Sequence, residues 1–281
     1  MSGTLYLVPV PIGHRDDITL RAVEVLRSVD IVAAEDTRDF RELRRRHGIG
    51  APVVSYHDHN ERSRTPELVA RLAEGKDVAL VTDAGTPLVS DPGFRLVRAC
   101  AEAQIRVTSL PGASAVVTAL AASGLPPHPF RFCGFPPRTA ARRRAMFREL
   151  SDDDATLVLF EAPHRLISAL RDARSVLGDR QACLARNLTK PHERYQRGTL
   201  DELIAQLRSE DEVRGEVTVL IAGAIAADAA SGAADRAAAA ERAARLLLDS
   251  GAGQRPVLAL LTGEYGMRRR EAYQLLLRLE A

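Results

Sequence analysis

The chain has 281 residues, 46% of them hydrophobic, and a formal net charge of +2. That length and apolar content suit two domains with their own cores and a small third, and no run approaches the roughly 20 apolar residues of a membrane-spanning helix. Cys100, Cys133 and Cys183 are scattered, without CxxC spacing or a Cys/His cluster, which argues against a disulfide framework and against a metal site.

The start, "MSGTLYLVPVPIGHRDD", has no basic stretch before its first Pro and acid and does not read as a signal peptide; the scattered cysteines suit a reduced cytoplasm, the location expected. The net charge alone indicates no nucleic acid partner. Its distribution says more: arginines cluster at 41–48, 138–149 and 267–273, with Lys76 and Lys190 the two lysines. Each cluster alone reads as a solvated helix face; three together point to an RNA-facing surface. Neither a membrane nor DNA is expected as a partner.

In chain order, strand-like runs fall at 4–10, 30–34, 52–56, 77–82 and 106–110, with helix-like runs at 19–28, 37–47, 61–74, 92–104 and 113–122 between and after them. This β-α alternation predicts a mostly parallel sheet covered by helices. The prolines of "GLPPHPF" (124–130) mark a boundary. A second α/β unit follows, with strands at 130–135, 155–161, 181–186 and 216–223 and helices at 138–150, 164–177 and 199–209. From about 224 an Ala-rich stretch reads as a linker entering a helix, and two short helices close the chain. The expected division is 1–123, 124–224 and 225–281.

Loops at carboxyl ends of strands are where open α/β sheets bind ligands. "PVPIGHRDD" (9–17) has that position but neither GxGxxG nor GxxxxGK[ST], which disfavours a dinucleotide fold and a P-loop. In "EDTRDF" (35–40), Asp36 reads as a helix N-cap; equally, Glu35 or Asp36 suits a ribose hydroxyl. In "YHDHNERSR" (56–64), His57 and His59 lack a third metal ligand, and Asn60 reads as an N-cap. "VTDAGTPLVSDPG" (81–93) is long and turn-rich, and its Gly and Pro residues let backbone approach a ligand closely. "LPGASAV" (110–116) places Ser114 at a strand-to-helix junction, where amides suit a carboxylate. Asp83 can accept from an ammonium, and the amides near Gly85, Thr86 and Ser114 can donate to a carboxylate or ribose. Spacing and chemistry thus favour a small zwitterionic cofactor without naming it.

Six collinear stretches between about residues 3 and 223, among them "VALVTDAGTPLVSDPG", "LPGASAVVTALAASGLP", "FEAPHRL" and "ARNLTKPHE", closely resemble the ribosomal RNA small subunit methyltransferase I family, within the tetrapyrrole methylases. The resemblance implies a two-domain α/β fold with S-adenosylmethionine in the cleft between the domains. It implies methyl transfer to the ribose 2′-hydroxyl of a cytidine in the decoding region of 16S rRNA, in the small ribosomal subunit, by a homodimer. By the family pattern Pro9, Pro11 and Gly13, then Asp83, Ala84, Gly85, Thr86 and Pro87, then Gly112, Ser114 and Ala115 line the cofactor. "FEAPHR", "ARNLTK" and Gly215–Glu216 close the cleft. Two positions depart from the pattern: His14 stands where Asn is commoner, and Asn187 where Glu is usual, so position 187 is assigned no catalytic duty.

A ribose hydroxyl is a poor nucleophile, so a base or cation beside the oxygen helps. Glu161, Lys190 and Asp36 are the candidates chosen. Glu161 reads alternatively as an acid at a helix start, with Pro163 an early helix residue. Arg38, Arg165 and Arg186 read as phosphate clamps. The aromatic content is 4%, with no tryptophan, so no stacking platform is expected. Recognition is expected to rest on RNA shape and Arg–phosphate contacts. The rivals are a tetrapyrrole or other small-molecule methyltransferase on the same fold, and a non-enzymatic RNA-binding assembly factor.

Overall fold

A computed structural model describes residues 2–210, 212–224 and 226–280. The first half alternates β1 (Thr4–Leu7), α1 (Leu20–Ser28), β2 (Ile31–Ala34), α2 (Phe40–His47), β3 (Val53–Ser55), α3 (Glu61–Ala73), β4 (Val78–Val81), α4 (Phe94–Glu102), β5 (Arg106–Ser109) and α5 (Ala115–Ser123). The five strands form one sheet in the order β3-β2-β4-β1-β5, and every pair is parallel. Helices cover both faces of a parallel sheet, so its central strands are continuously apolar; β4 reads VALV with all four residues buried. Local signals bound the helices: Thr19 accepts from the Ala22 amide to start α1, and Gly48, at φ 62°, ends α2.

The second half runs β6 (Phe130–Phe132), α6 (Ala140–Glu149), β7 (Thr156–Glu161), α7 (Pro163–Leu177), β8 (Gln181–Arg186), β9 (Arg194–Thr199), α8 (Leu200–Arg208) and β10 (Val217–Ile221). Its sheet order is β6-β7-β10-β8-β9, parallel only between β6 and β7. β9, "RYQRGT", is the strand the apolar pattern does not announce. It is a half-exposed edge strand held by backbone pairing to β8, so no continuous apolar run is required of it.

The antiparallel run has a consequence for the site. Val217, at the start of β10, pairs with Glu161 at the end of β7 and with Arg186 at the end of β8. Three chain segments therefore converge on one end of the second sheet. Helix α5 fastens the two sheets together: Val116, Ala119 and Leu120 pack with Val158, Cys183, Ala185 and Leu220, and Ile12 and Leu188 join the same apolar cluster. Arg197 Nε, from β9, donates to the Ser123 carbonyl at 2.9 Å.

The tail is α9 (Ala226–Asp249), α10 (Gln254–Gly263) and α11 (Arg269–Glu280). Ala240, Ala244, Val257, Leu261, Ala272, Leu275 and Leu276 form its own core. The expected linker is helical from residue 226, as its alanine content favours; residue 225 lies outside the described residues. No described helix is long and apolar enough to cross a membrane.

Candidate active site

The loops leaving β4, β1 and β5 stand side by side, because those strands are neighbours in the sheet. Val10 and Gly85 tie the first two loops by reciprocal backbone hydrogen bonds of 2.9 and 3.0 Å. Gly85 sits at φ 78°, a conformation that suits glycine. On one side of this tie is a cleft of about 320 Å³, lined from the first half by Ile12, Ala84, Gly85, Thr86, Ser114 and Ala115 and from the second by Glu161, Ala162, Leu188 and Val217 among others. On the other side, Pro11, Gly13 and Asp83 line a smaller cavity of about 160 Å³ beside Arg15 and Arg46.

The expected cofactor residues thus divide into three sets. Pro9, Pro87 and Gly112 line neither cavity. Pro9 and Pro87 are buried, and a Cβ at Gly112 would lie 2.6 Å from Pro9 Cβ, so this pair is a close-packed support behind the loops.

Glu161 ends β7, lines the large cleft and is 3% exposed. Burial pushes its carboxyl up; the Ala162 amide, 2.8 Å from Oε1, and Arg165 partly offset this. Arg165 was expected on phosphate. It instead reaches Glu161 at 3.3 Å and donates to the Pro136 carbonyl at 2.8 Å, which braces the 134–137 loop.

Arg186 is a correction too. Its side chain is 5% exposed, and its guanidinium lies 2.7 Å from Glu210 Oε2 and donates to the Arg214 carbonyl. A group so enclosed and paired presents no face to a phosphate. Arg38 is largely exposed but chelates Asp36, whose Oδ1 also accepts the Arg38 amide at 2.7 Å. The guanidinium and that amide hold the Asp36 carboxyl far below its usual range. Asp36 therefore secures a turn rather than capping α2, whose N-cap is Asp39, and it lines neither cavity. Lys190 Nζ lies 2.7 Å from Glu216, a cleft residue. Asn60 accepts the His57 amide and donates to Ser55, so it folds its own loop rather than capping α3 with its side chain. Among the described residues no group of three His, Cys, Asp or Glu is placed to hold a metal.

Two cleft residues escaped the sequence reading. Asp91, in the long turn-rich loop, lines the cleft, and burial, with Glu35, Asp83 and Asp58 nearby, pushes its carboxyl up to about 7. Its place in "SDPG" reads simply as turn chemistry. Phe135 also lines the cleft and is 56% exposed; its signal, one aromatic in a Gly-Phe-Pro-Pro loop, is masked by the low aromatic content.

The groups present suit a sulfonium amino-acid nucleoside. The buried Ile12, Leu188 and Val217 give an apolar floor for a nucleobase. The amides starting α5 at Ser114 suit a carboxylate, and the acidic wall suits a cation.

The tetrapyrrole (corrin/porphyrin) methylase family profile matches residues 4–204. A ribosomal RNA small subunit methyltransferase I of Micromonospora olivasterospora is 54% identical over 97% of this chain and 86% of its own length. A protein of the same name from Synechocystis sp. is 44% identical over 99% of both chains. Among solved structures, the methyltransferase CobJ is similar in fold, with a TM-score of 0.61 at 20% identity over 79% of this chain and 95% of its own. The chain belongs to the ribosomal RNA small subunit methyltransferase I family of tetrapyrrole methylases.

Proposed function

We propose that the chain transfers the methyl group of S-adenosylmethionine to the ribose 2′-hydroxyl of a cytidine in the decoding region of 16S rRNA, within the small ribosomal subunit. The observation that carries this is the large cleft, built jointly by the β4 and β5 loops and by the converging ends of β7, β8 and β10. The 54% identical relative's name supports an rRNA substrate over a tetrapyrrole, and the intact cofactor loops speak against a purely structural RNA-binding role.

In this reading S-adenosylmethionine, when bound, supplies an electrophilic methyl on a sulfonium. Ala84 to Thr86 and Ser114 to Ala115 hold it, with Asp83 acting from the neighbouring cavity and Pro9, Pro87 and Gly112 supporting from behind. The protein's part is largely positioning, since alignment of nucleophile and methyl accounts for much of such a barrier. Glu161 is the cleft carboxylate placed to take the hydroxyl proton; Lys190, held by Glu216, sits at the same end of the second sheet. Arg38 and the exposed arginines of α2 and α11 meet phosphates, so binding falls steeply with salt. The units 1–123, 124–224 and 225–281, a cytoplasmic location and a homodimer belong to the same reading; light scattering tests the dimer.

The deciding experiment is transfer of labelled methyl to small subunits lacking the modification, followed by mapping of the modified nucleotide. Label on a 16S cytidine ribose is the expected result. Label on a porphyrinoid, and none on subunits, would transfer the assignment to the small-molecule reading.

A further inference from the structure

The cleft has a buried end and an open rim, and they differ in chemistry. Ile12, Leu188 and Val217 are buried, as an adenosine floor requires. Phe135 lines the same cleft and is 56% exposed, which places it at the rim. A singly exposed apolar side chain is ordinary on a convex surface. This one lines a concave site and is held in place from several sides.

Its ring and that of Phe160 form a T-shaped pair, with centroids 5.5 Å apart and planes at 61°. Phe160 is in turn fixed by Phe132, at 4.9 Å and 65°. The loop beneath is pinned by the Phe160 amide on the Gly134 carbonyl at 3.0 Å and by Arg165 on the Pro136 carbonyl at 2.8 Å. Gly134, at φ 64°, makes the bend that presents the ring. Packed against Phe160 yet 56% exposed, the residue keeps apolar surface for a partner. Pro136 and Pro137 limit the loop's freedom, so little entropy remains to be lost on binding.

Resting on the proposed RNA substrate, we propose that Phe135 is the stacking face for the base of the nucleotide whose ribose is methylated. A ribose inside a duplex sits in a crowded groove. Enzymes that reach a single nucleotide therefore draw it out and stack its base on an aromatic ring. A base on Phe135 would leave its ribose directed into the cleft, on the side where Glu161 lies. Stacking tolerates any base, so Phe135 supplies grip and orientation, and the choice of cytidine falls to other contacts. The low aromatic content does not preclude a platform; a single braced ring is sufficient for one nucleotide.

The chain has no tryptophan, so Phe135→Trp carries one reporter in a dark background. Its emission is followed during titration with S-adenosylhomocysteine, with a cytidine-containing oligoribonucleotide, and with an oligoribonucleotide of equal length lacking that base. Filter retention measures RNA binding in parallel. Quenching by the intact RNA, with little change from S-adenosylhomocysteine or the abasic RNA, is expected. Quenching by S-adenosylhomocysteine alone would assign the ring to the cofactor's adenine, and RNA retained without quenching would overturn the stacking role. Absence of RNA retention with both RNAs, together with absence of methyl transfer to subunits by the unaltered chain, would remove the RNA reading on which it rests. In kinetics, Phe135→Ala is expected to raise KM for subunits about tenfold with cofactor affinity unchanged, and Phe135→Tyr to restore it. Equal loss in Phe135→Ala and Phe135→Tyr would mark the ring as packing only.

Discussion

The His14 amide donates to Thr189 Oγ1 at 2.9 Å, joining the loop after β1 to the loop after β8. Beside it, Gly13 lies so close that an added Cβ would sit 2.6 Å from Thr189 Oγ1 and Lys190 Cγ and 2.8 Å from the Leu188 carbonyl. The Lys190 stem can swing away, but the Leu188 backbone cannot do so without moving β8's end. Gly13→Ala is therefore expected to part the two halves of the cleft. Overpacking of this kind costs about 1–3 kcal/mol. Calorimetry should show cofactor affinity down roughly tenfold with a lowered Tm; unchanged affinity would mean the loops are not coupled to the cleft.

The order of elements is legible along the chain because helices such as α1 bury one face at helical spacing and central strands such as β4 are unbroken apolar runs. The cofactor loops were legible because Gly and Pro mark backbone that must bend. What lay hidden was pairing at a distance. "RYQRGT" shows no apolar run, yet β8 recruits it as an edge strand. Arg186 and Glu210 are 24 positions apart, and no local pattern announces that each is the other's partner. Likewise the Asp91 carboxyl is pushed up mainly by burial and then by Glu35, Asp83 and Asp58, surroundings that only folding supplies.

Arg186 and Arg38 should part ways under mutation. Arg186→Ala leaves Glu210 with its other partner, Arg194, at the surface, and breaks a nearly enclosed pair. A loss on the order of 3 kcal/mol is expected, with Glu210→Ala giving a similar fall in Tm. The salt slope of RNA binding should not move. Arg38→Ala should leave Tm nearly unchanged, weaken RNA binding and reduce the salt slope by about 1. Salt titrations of RNA affinity beside thermal melts read both, and a reduced slope for Arg186→Ala would restore its phosphate role.

Asp91 binds its proton more tightly in the folded chain than in the unfolded one, mainly through burial and then through Glu35, Asp83 and Asp58. A raised carboxyl pKa contributes stability that is complete below the unfolded value of about 4 and is lost as pH rises through about 7. Asp91→Asn has no charge to lose. At pH 8 it is expected to melt about 3–6 °C above the unaltered chain, with the gap narrowing toward pH 4. Melting curves between these limits check this; a gap independent of pH would place Asp91 in solvent.

Glu161 and Arg165 should separate chemistry from scaffold. Glu161→Gln keeps the shape and an acceptor for the Ala162 amide, but removes the charge that could take a proton. Methyl transfer is expected to fall by about 10²–10⁴, with cofactor affinity within a few-fold and the acidic limb of the pH–rate profile lost. Arg165→Ala withdraws the cation beside a carboxylate that is 3% exposed. Its protonated form is then favoured more strongly, so the acidic limb moves to higher pH while the maximum rate at high pH is largely kept. The same change frees the Pro136 carbonyl and loosens the loop that carries Phe135, so KM for subunits rises as well. Rate profiles between pH 5.5 and 9 distinguish the two variants. Full activity of Glu161→Gln across that range would show that the hydroxyl proton leaves by another route.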